Sequence, residues 1–359
     1  MAAVVQPDGS ITSRVHSRIG LLGNPSDGFQ GACLSLSLAN YWAEVKLTPS
    51  PTLRFLPNPD CDPLEFANLQ ALASHVKASG YYGGLRLLQA MCKCFFEHCV
   101  QCGISLAPQS SPAFTLSYAT TIPRQCGLSG SSAIVCATLN CLLCHYGVEA
   151  AVPHIVRPAL VLSAEQDLGI TAGLQDRVVQ VHGGLVAMDF SQAGQERYQS
   201  LDSSLLPALH LIHRPAAPSG KDSGSVHSDV KRRWLEGDAS VRQLMQQLAA
   251  LVPAGVRALQ QQDTQQLANL MQQNFILRRQ IYGDAVVGAA NLGMVEAAAA
   301  VGAAAKLTGS GGAVVALCAD GEQQAVQLRA ECQQRGLACE DVVVGPVLHW
   351  IGQDGPETR

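Results

Sequence analysis

Residues 122–146 read IPRQCGLSGSSAIVCATLNCLLCHY. Gly127, Gly130 and the serines at 129, 131 and 132 stand directly before an apolar run, about Ser131 to His145, whose spacing predicts a buried helix. Upstream, FTLSYATTIP (Phe114–Pro123) alternates as a strand does. The first N–H groups of a helix have no partner inside it and carry the positive end of its dipole. Glycine removes the side chains that would hold a ligand away, and serine hydroxyls add donors or a metal ligand. A polyphosphate needs such a loop. It is not Walker A, which ends Gly-Lys-Ser/Thr, because this one ends Gly-Ser-Ser-Ala. An ordinary glycine-rich turn with a serine cap has the same pattern, so the loop alone leaves both readings open.

Two further glycine clusters lie on either side. KLTGSGGAVVAL (Lys306–Leu317) reads as a helix joined to a strand through a Gly-Ser-Gly-Gly turn. RIGLLGNPSD (Arg18–Asp27) sets one cation and one carboxylate around a glycine-containing strand and turn. Between them, SLSLANYWAEVKL (Ser35–Leu47) alternates as a half-buried strand, and the proline-rich TPSPTLRFLPNPDCDP reads as loop or sheet edge. Ala71–Ser79, Gly84–Val100 and Arg157–Gly169 have helical periodicity, the last opening on proline and closing on glycine. Gly184–Phe190 and Leu206–Arg214 read as consecutive strands, and Arg214–Ser228 as a mobile loop rich in Pro, Gly and Ser. Glutamine- and alanine-rich helices run to about Val301; a strand (GGAVVALCA), a helix (EQQAVQLRAECQQRG) and a strand (EDVVVG) follow.

The chain has 359 residues, 47% hydrophobic and 14% charged, a globular composition long enough for two domains. We expect the first over residues 1–200 and the second over 201–359. A net charge of −4 without long basic blocks argues against nucleic acid as a partner. The first twenty residues lack the apolar core of a signal peptide, and no apolar stretch reaches the length of a membrane span. A cytoplasmic protein with no membrane partner is the expectation. Cys99 with Cys102 and Cys141 with Cys144 have the spacing of metal ligands, with His98 and His145 beside them. Both pairs sit in apolar helical runs without knuckle glycines, which points to small buried thiols, and a cytosolic chain is expected to hold no structural disulfide.

The three glycine elements, in this order, resemble the GHMP kinase superfamily of small-molecule kinases. Its middle motif, roughly Pro-x-x-x-Gly-Leu-Gly-Ser-Ser-Ala, corresponds to Pro123, Arg124, Gln125, Cys126, Gly127, Leu128, Ser129, Gly130, Ser131, Ser132 and Ala133. Ser129-Gly130 departs from the usual Gly-Ser order, which leaves open whether Ser131 or Ser132 faces magnesium. RIGLLGNPSD, GYYGGLRLL, LSAEQDLGITAGLQDRVVQVHGGLVAMDF and KLTGSGGAVV extend the likeness from about residue 15 to 345, closest to the branch acting on D-glucuronate. The resemblance implies a two-domain α+β GHMP kinase fold with the active site in the inter-domain cleft. It implies ATP, Mg²⁺ (or Mn²⁺), and transfer of a phosphoryl group to the anomeric hydroxyl of D-glucuronate.

It also implies roles. Residues 123–133 would hold the ATP phosphates, and Glu165 with Ser131 would hold magnesium. Asp176 would be the general base and Arg18 its partner, with Asp27 a sugar ligand. Lys306 and the turn Gly309–Gly312 would support the phosphate loop and face the substrate, Gly311 among its contacts. A bidentate arginine is the natural reader of the sugar carboxylate. Arg124, Arg177 and Arg86 are the candidates, Arg124 first because it lies in the loop. A kinase for another sugar (galacturonate or galactose) and a non-catalytic sugar and ATP sensor on the same fold are the alternatives.

Overall fold

The structure is a computed structural model describing residues 3–79, 83–107, 113–215 and 223–352, with backbone alone at 77–79 and 223–228. The tyrosine pair of GYYGGLRLL therefore lies outside the described residues. The chain forms two compact units interleaved in sequence: Met1–Ser17, Tyr41–Arg124 and Ser129–Ala172 in one, Arg18–Asn40, Gln125–Leu128 and Gly173–Arg359 in the other.

The first unit holds β1 (Val4–Val5), the start of β2 (Ile11–Leu22), the end of β3 (Ala32–Ser50), β4 (Arg54–Phe55), α1 (Leu69–Ser79), α2 (Gly84–Gln101), β5 (Ala113–Thr120), α3 (Gly130–Tyr146) and α4 (Arg157–Asp167). β3 and β5 pair antiparallel with Val45 opposite Tyr118, and β4 runs parallel to β5 at the edge, where its flanking prolines cost no ladder hydrogen bond. Ala43, Val45 and Leu47 are buried while Glu44, Lys46 and Thr48 are not, the period of two that made this strand legible. α3 is buried all round, from Ser132 to His145, and packs on α2, α4 and β5. A helix apolar on every side belongs in a core. Of the metal-like cysteines, Cys99 and Cys141 are buried and Cys102 is exposed.

The second unit takes the rest of β2 and β3, then α5 (Gln175–His182), β6 (Leu185–Asp189), β7 (Arg197–Leu201), β8 (Leu209–His213), α6 (Ser223–Leu235), α7 (Ala239–Gln260), α8 (Thr264–Tyr282), α9 (Asp284–Val287), α10 (Ala289–Ala300), β9 (Ala304–Leu307), β10 (Ala313–Leu317), α11 (Glu322–Gln334) and β11 (Ala338–Asp341). β6 pairs β3 and β7 pairs β6, with α5 packing Val178 and Val179 against Val186, Met188 and Tyr198. A second sheet, in the order β11-β8-β10-β9, buries Ile212, Val314 and Ala316 against Met294, Ala297 and Leu328 of α10 and α11. Asp238 and Asp263 cap α7 and α8 by accepting from the N–H groups of Ser240 (2.9 Å) and Gln266 (2.9 Å).

The α+β class expected from the sequence is the observed one. Several elements differ from expectation. The Lys306 turn joins two strands rather than a helix and a strand, because Gly302, at φ +75°, takes the chain out of α10. Ala304 and Ala305 then enter β9, where small side chains fit a buried strand. β6 and β8 are not consecutive, since β7 intervenes. Ser223–Ser228, expected as loop, opens α6, and residues 216–222 lie outside the described set. β11 begins two residues ahead of EDVVVG, pinned to β8 by His213–Glu340 (2.9 Å) and His210–Asp341 (3.0 Å).

Candidate active site

Arg18 decides the character of this site. Past residue 17, β2 is buried on both faces, and Arg18 is 6% exposed there. A buried guanidinium persists only with well-placed acceptors. Its Nε donates to Asp176 Oδ1 at 2.5 Å, and its Nη1 donates to the carbonyls of Gly127 (2.8 Å) and Thr308 (3.3 Å). Asp176 lies in the first turn of α5, where the helix dipole favours a carboxylate. One side chain thus ties the Asp176 carboxylate to the Gly127 carbonyl of the glycine–serine loop and to Thr308 of the second glycine turn, all within the second unit.

Asp27 extends this network. It sits on a single 3-10 turn, Ser26–Phe29, and its Oδ2 accepts from the Gln175 N–H at 3.2 Å. The Gln175 side chain donates to Ser35 at 2.8 Å, which fixes the start of α5. Burial, and then the negative charge of Asp176, push the Asp27 carboxyl up to about 6. Its folded pKa therefore lies above the ordinary 3.8. The ionised form destabilises the fold, so Asp27 weakens it progressively as pH rises from about 4 to about 6, by about 2–3 kcal/mol in all. Asp27→Asn removes that penalty. Urea unfolding of the ligand-free protein is expected to show the variant gaining on the wild type by about 2 kcal/mol between pH 4.5 and pH 7. A difference independent of pH would contradict the assignment.

The loop backbone explains the unusual Ser129. Gln125 (φ 56°), Gly127 (φ 61°) and Ser129 (φ 64°) are left-handed, and the residues between them are not. Left-handed residues recur in backbone turns that bind anions through their N–H groups. Ser129 holds the left-handed position where the GHMP pattern carries glycine, a strained conformation for a side chain. The two following serines then diverge. Ser131 Oγ donates to Glu165 Oε1 at 2.8 Å, whereas Ser132, fully buried, turns its hydroxyl back onto the Ser129 carbonyl at 3.2 Å. Two hard oxygens, Ser131 and Glu165, fit a magnesium ion that keeps some of its waters. Ser131→Ala is expected to raise the Mg²⁺ concentration for half-maximal activity about tenfold, and Ser132→Ala chiefly to lower the melting temperature. The reverse pattern in a magnesium titration would assign the metal to Ser132.

The second glycine turn is shaped by Asn291, whose Oδ1 accepts from the Gly312 N–H at 2.8 Å while its Nδ2 donates to the Val287 carbonyl at 2.7 Å. Gly311 (φ +133°) and Gly312 (φ +98°) take conformations that other residues resist. A Cβ on Gly311 would meet the Asn291 amide at 2.7 Å. Lys306, expected to face the substrate, does not. It is 1% exposed and donates to Gly20 O (2.6 Å), Asn24 Oδ1 (2.7 Å) and Leu307 O (2.8 Å). Burial, with Arg278 and Arg18 nearby, presses its pKa well below the usual lysine value. Its place is internal, pinning β9 to the Gly20–Asn24 turn.

The three candidate carboxylate readers fall differently. Arg177 is buried, with its Nη1 donating to the Gly173 carbonyl at 2.9 Å and lying 3.5 Å from Asp176. Arg124 and Arg86 belong to the first unit, Arg86 on α2 and Arg124 donating to the Cys61 carbonyl at 3.3 Å. Asn274, Arg278 and Asn291 escaped the sequence reading. Each is a polar residue buried in an otherwise apolar helix face, and that mismatch was the only signal available.

The GHMP kinases N terminal domain model matches residues 86–184 and the GHMP kinases C terminal model residues 256–336. With an arginine-clamped aspartate and two glycine turns in the matching order, the chain belongs to the GHMP kinases, and within them to the glucuronokinases. Glucuronokinase 1 of Arabidopsis thaliana is 48% identical over 346 residues, 95% of this chain and 94% of the relative. Probable glucuronokinase 2 of the same plant is 48% identical over 345 residues, 94% of this chain and 93% of the relative. Among solved structures, a Lin0012 protein from Listeria innocua superposes with a TM-score of 0.73 at 13% identity, covering 94% of this chain and 99% of that one. At that identity the likeness shows the fold alone.

Proposed function

We propose that this chain is an ATP-dependent sugar-1-kinase that phosphorylates the anomeric hydroxyl of D-glucuronate, releasing D-glucuronate 1-phosphate and ADP. The observation that carries the substrate is the 48% identity over 95% of the chain to a glucuronokinase. The chemistry is supported by the Arg18–Asp176 pair. Asp176 accepts the proton of the attacking hydroxyl while the new oxygen–phosphorus bond forms and the bond to ADP breaks. An alcohol is a far weaker acid than an aspartic acid, so the proton moves late and Asp176 orients the hydroxyl before receiving it. Arg18 fixes the orientation of the carboxylate. Within residues 123–133, the backbone N–H groups that follow Pro123, from Arg124 to Ala133, would receive the phosphates of ATP, with Asp27 and Gly311 near the sugar. Ser131 and Glu165 would hold Mg²⁺, which supplies neutralisation of phosphate charge when bound.

Arg18, Glu165 and Asp176 are all present, which speaks against a non-catalytic sensor. The partners are small molecules. No helix among the described residues is long and apolar enough to cross a membrane, and thirteen free cysteines suit the reducing cytoplasm. Coupled ADP release across glucuronate, galacturonate, galactose and a simple alcohol tests the reading. Glucuronate is expected to give the highest kcat/KM. Strong turnover of galactose with no response to glucuronate would reject it.

A further inference from the structure

The sugar's carboxylate needs a cationic reader, and the most telling group is one that the motifs do not contain. Arg278, near the end of α8, is 3% exposed. Its Nη1 is fully buried without a hydrogen-bond partner among the described residues. Its Nη2 makes one long contact, 3.4 Å to the Ser310 carbonyl, and the guanidinium lies 5.2 Å from the Tyr282 ring centre. No carboxylate forms an ion pair with it among the described residues. Burial lowers its pKa, the neighbouring Tyr282 phenol raises it, and Arg18 lowers it further. Lys306 also feels its charge. A buried cation with no carboxylate paired to it among the described residues is a poor structural choice unless an anion joins it.

Its position says which anion. Arg278 and Arg18 flank the same glycine turn. Arg278 holds the Ser310 carbonyl, and a Cβ on Gly309 would meet Arg18 Nη2 at 3.0 Å. Tyr282, beside Arg278, feels the charge of Asp27. The guanidinium, with its Nη1 lacking a hydrogen-bond partner among the described residues, therefore belongs to the group of side chains that includes Asp176 and Asp27, and its planar fork suits a carboxylate.

We propose that Arg278 recognises the carboxylate of the sugar acid and so sets the preference for uronates over neutral sugars. The assignment rests on the glucuronate reading above and names a residue of that same site.

The test compares D-glucuronate with its neutral analogue D-glucuronamide on the full-length wild type, Arg278→Gln and Arg278→Lys. The wild type is expected to favour glucuronate in kcat/KM by about 10²-fold or more, because a site built for a charged group rejects its neutral counterpart. In Arg278→Gln that ratio falls at least about thirtyfold, through a raised KM for glucuronate, while the KM for ATP stays within about twofold. Arg278→Lys, which keeps the charge but loses the fork, lies between, and it decides the matter if the glutamine variant does not fold. A ratio left at the wild-type value in the folded variants, with both sugars slowed alike, would show a structural or phosphate role and overturn the assignment. Equal wild-type use of both sugars would also overturn it while leaving the kinase reading intact. A wild type that turns over neither removes the kinase reading and this assignment together.

Discussion

Asp176→Asn is expected to lower kcat for glucuronate by about 10³-fold while leaving the KM for ATP within about threefold. The amide has the shape of the carboxylate, and its oxygen can still accept from Arg18 Nε, which lies 2.5 Å from Oδ1 in the wild type. What it cannot do is take a proton at neutral pH. The loss should therefore fall on the chemical step rather than on nucleotide binding. Initial rates with ATP and glucuronate varied separately, together with a nucleotide-binding titration, make the distinction. Unchanged turnover would remove Asp176 from the mechanism.

Arg18→Lys is expected to damage both the reaction and the fold. Lysine keeps the charge, but one ammonium cannot span Asp176, the Gly127 carbonyl and the Thr308 carbonyl as the guanidinium does at 2.5, 2.8 and 3.3 Å. Leaving a buried acceptor unpaired costs about 1–3 kcal/mol, which a urea midpoint will register. kcat should fall about 10²-fold as Asp176 loses its fixed orientation. In the proposed mechanism both residues act on one proton transfer, so the double variant should be little slower than Asp176→Asn alone. Fully multiplicative losses would mean that Arg18 and Asp176 serve separate steps.

Much of this site was legible because its chemistry is local in sequence. The strand, the loop 123–133 and α3 announce themselves through alternation, glycine and an apolar run. Asp27, Glu165 and Asp176 were placed by motif likeness, since nothing in their own neighbourhoods marks them. The sequence could not reveal which serine turns toward Glu165. That depends on the left-handed Ser129, after which Ser132 caps backward and Ser131 does not. Lys306 misled for a related reason. A lysine beside a glycine turn suggests a group facing the substrate, but two of its three acceptors, on Gly20 and Asn24, come from residues that only the fold brings to it. Arg278 was invisible because its meaning lies in a missing partner. β9 was hidden in an alanine run that favours helix until Gly302 turns the chain.

The central claim is that the pair at Arg18 and Asp176 activates the anomeric hydroxyl of an acid sugar. Nuclear magnetic resonance of the product formed from ATP and ¹³C-labelled glucuronate tests it most directly. The account predicts a single phosphate ester whose phosphorus couples to C1, formed by the wild type and suppressed about 10³-fold in Asp176→Asn. An ester at any other carbon, or the same C1 ester formed at the wild-type rate by the variant, would contradict it.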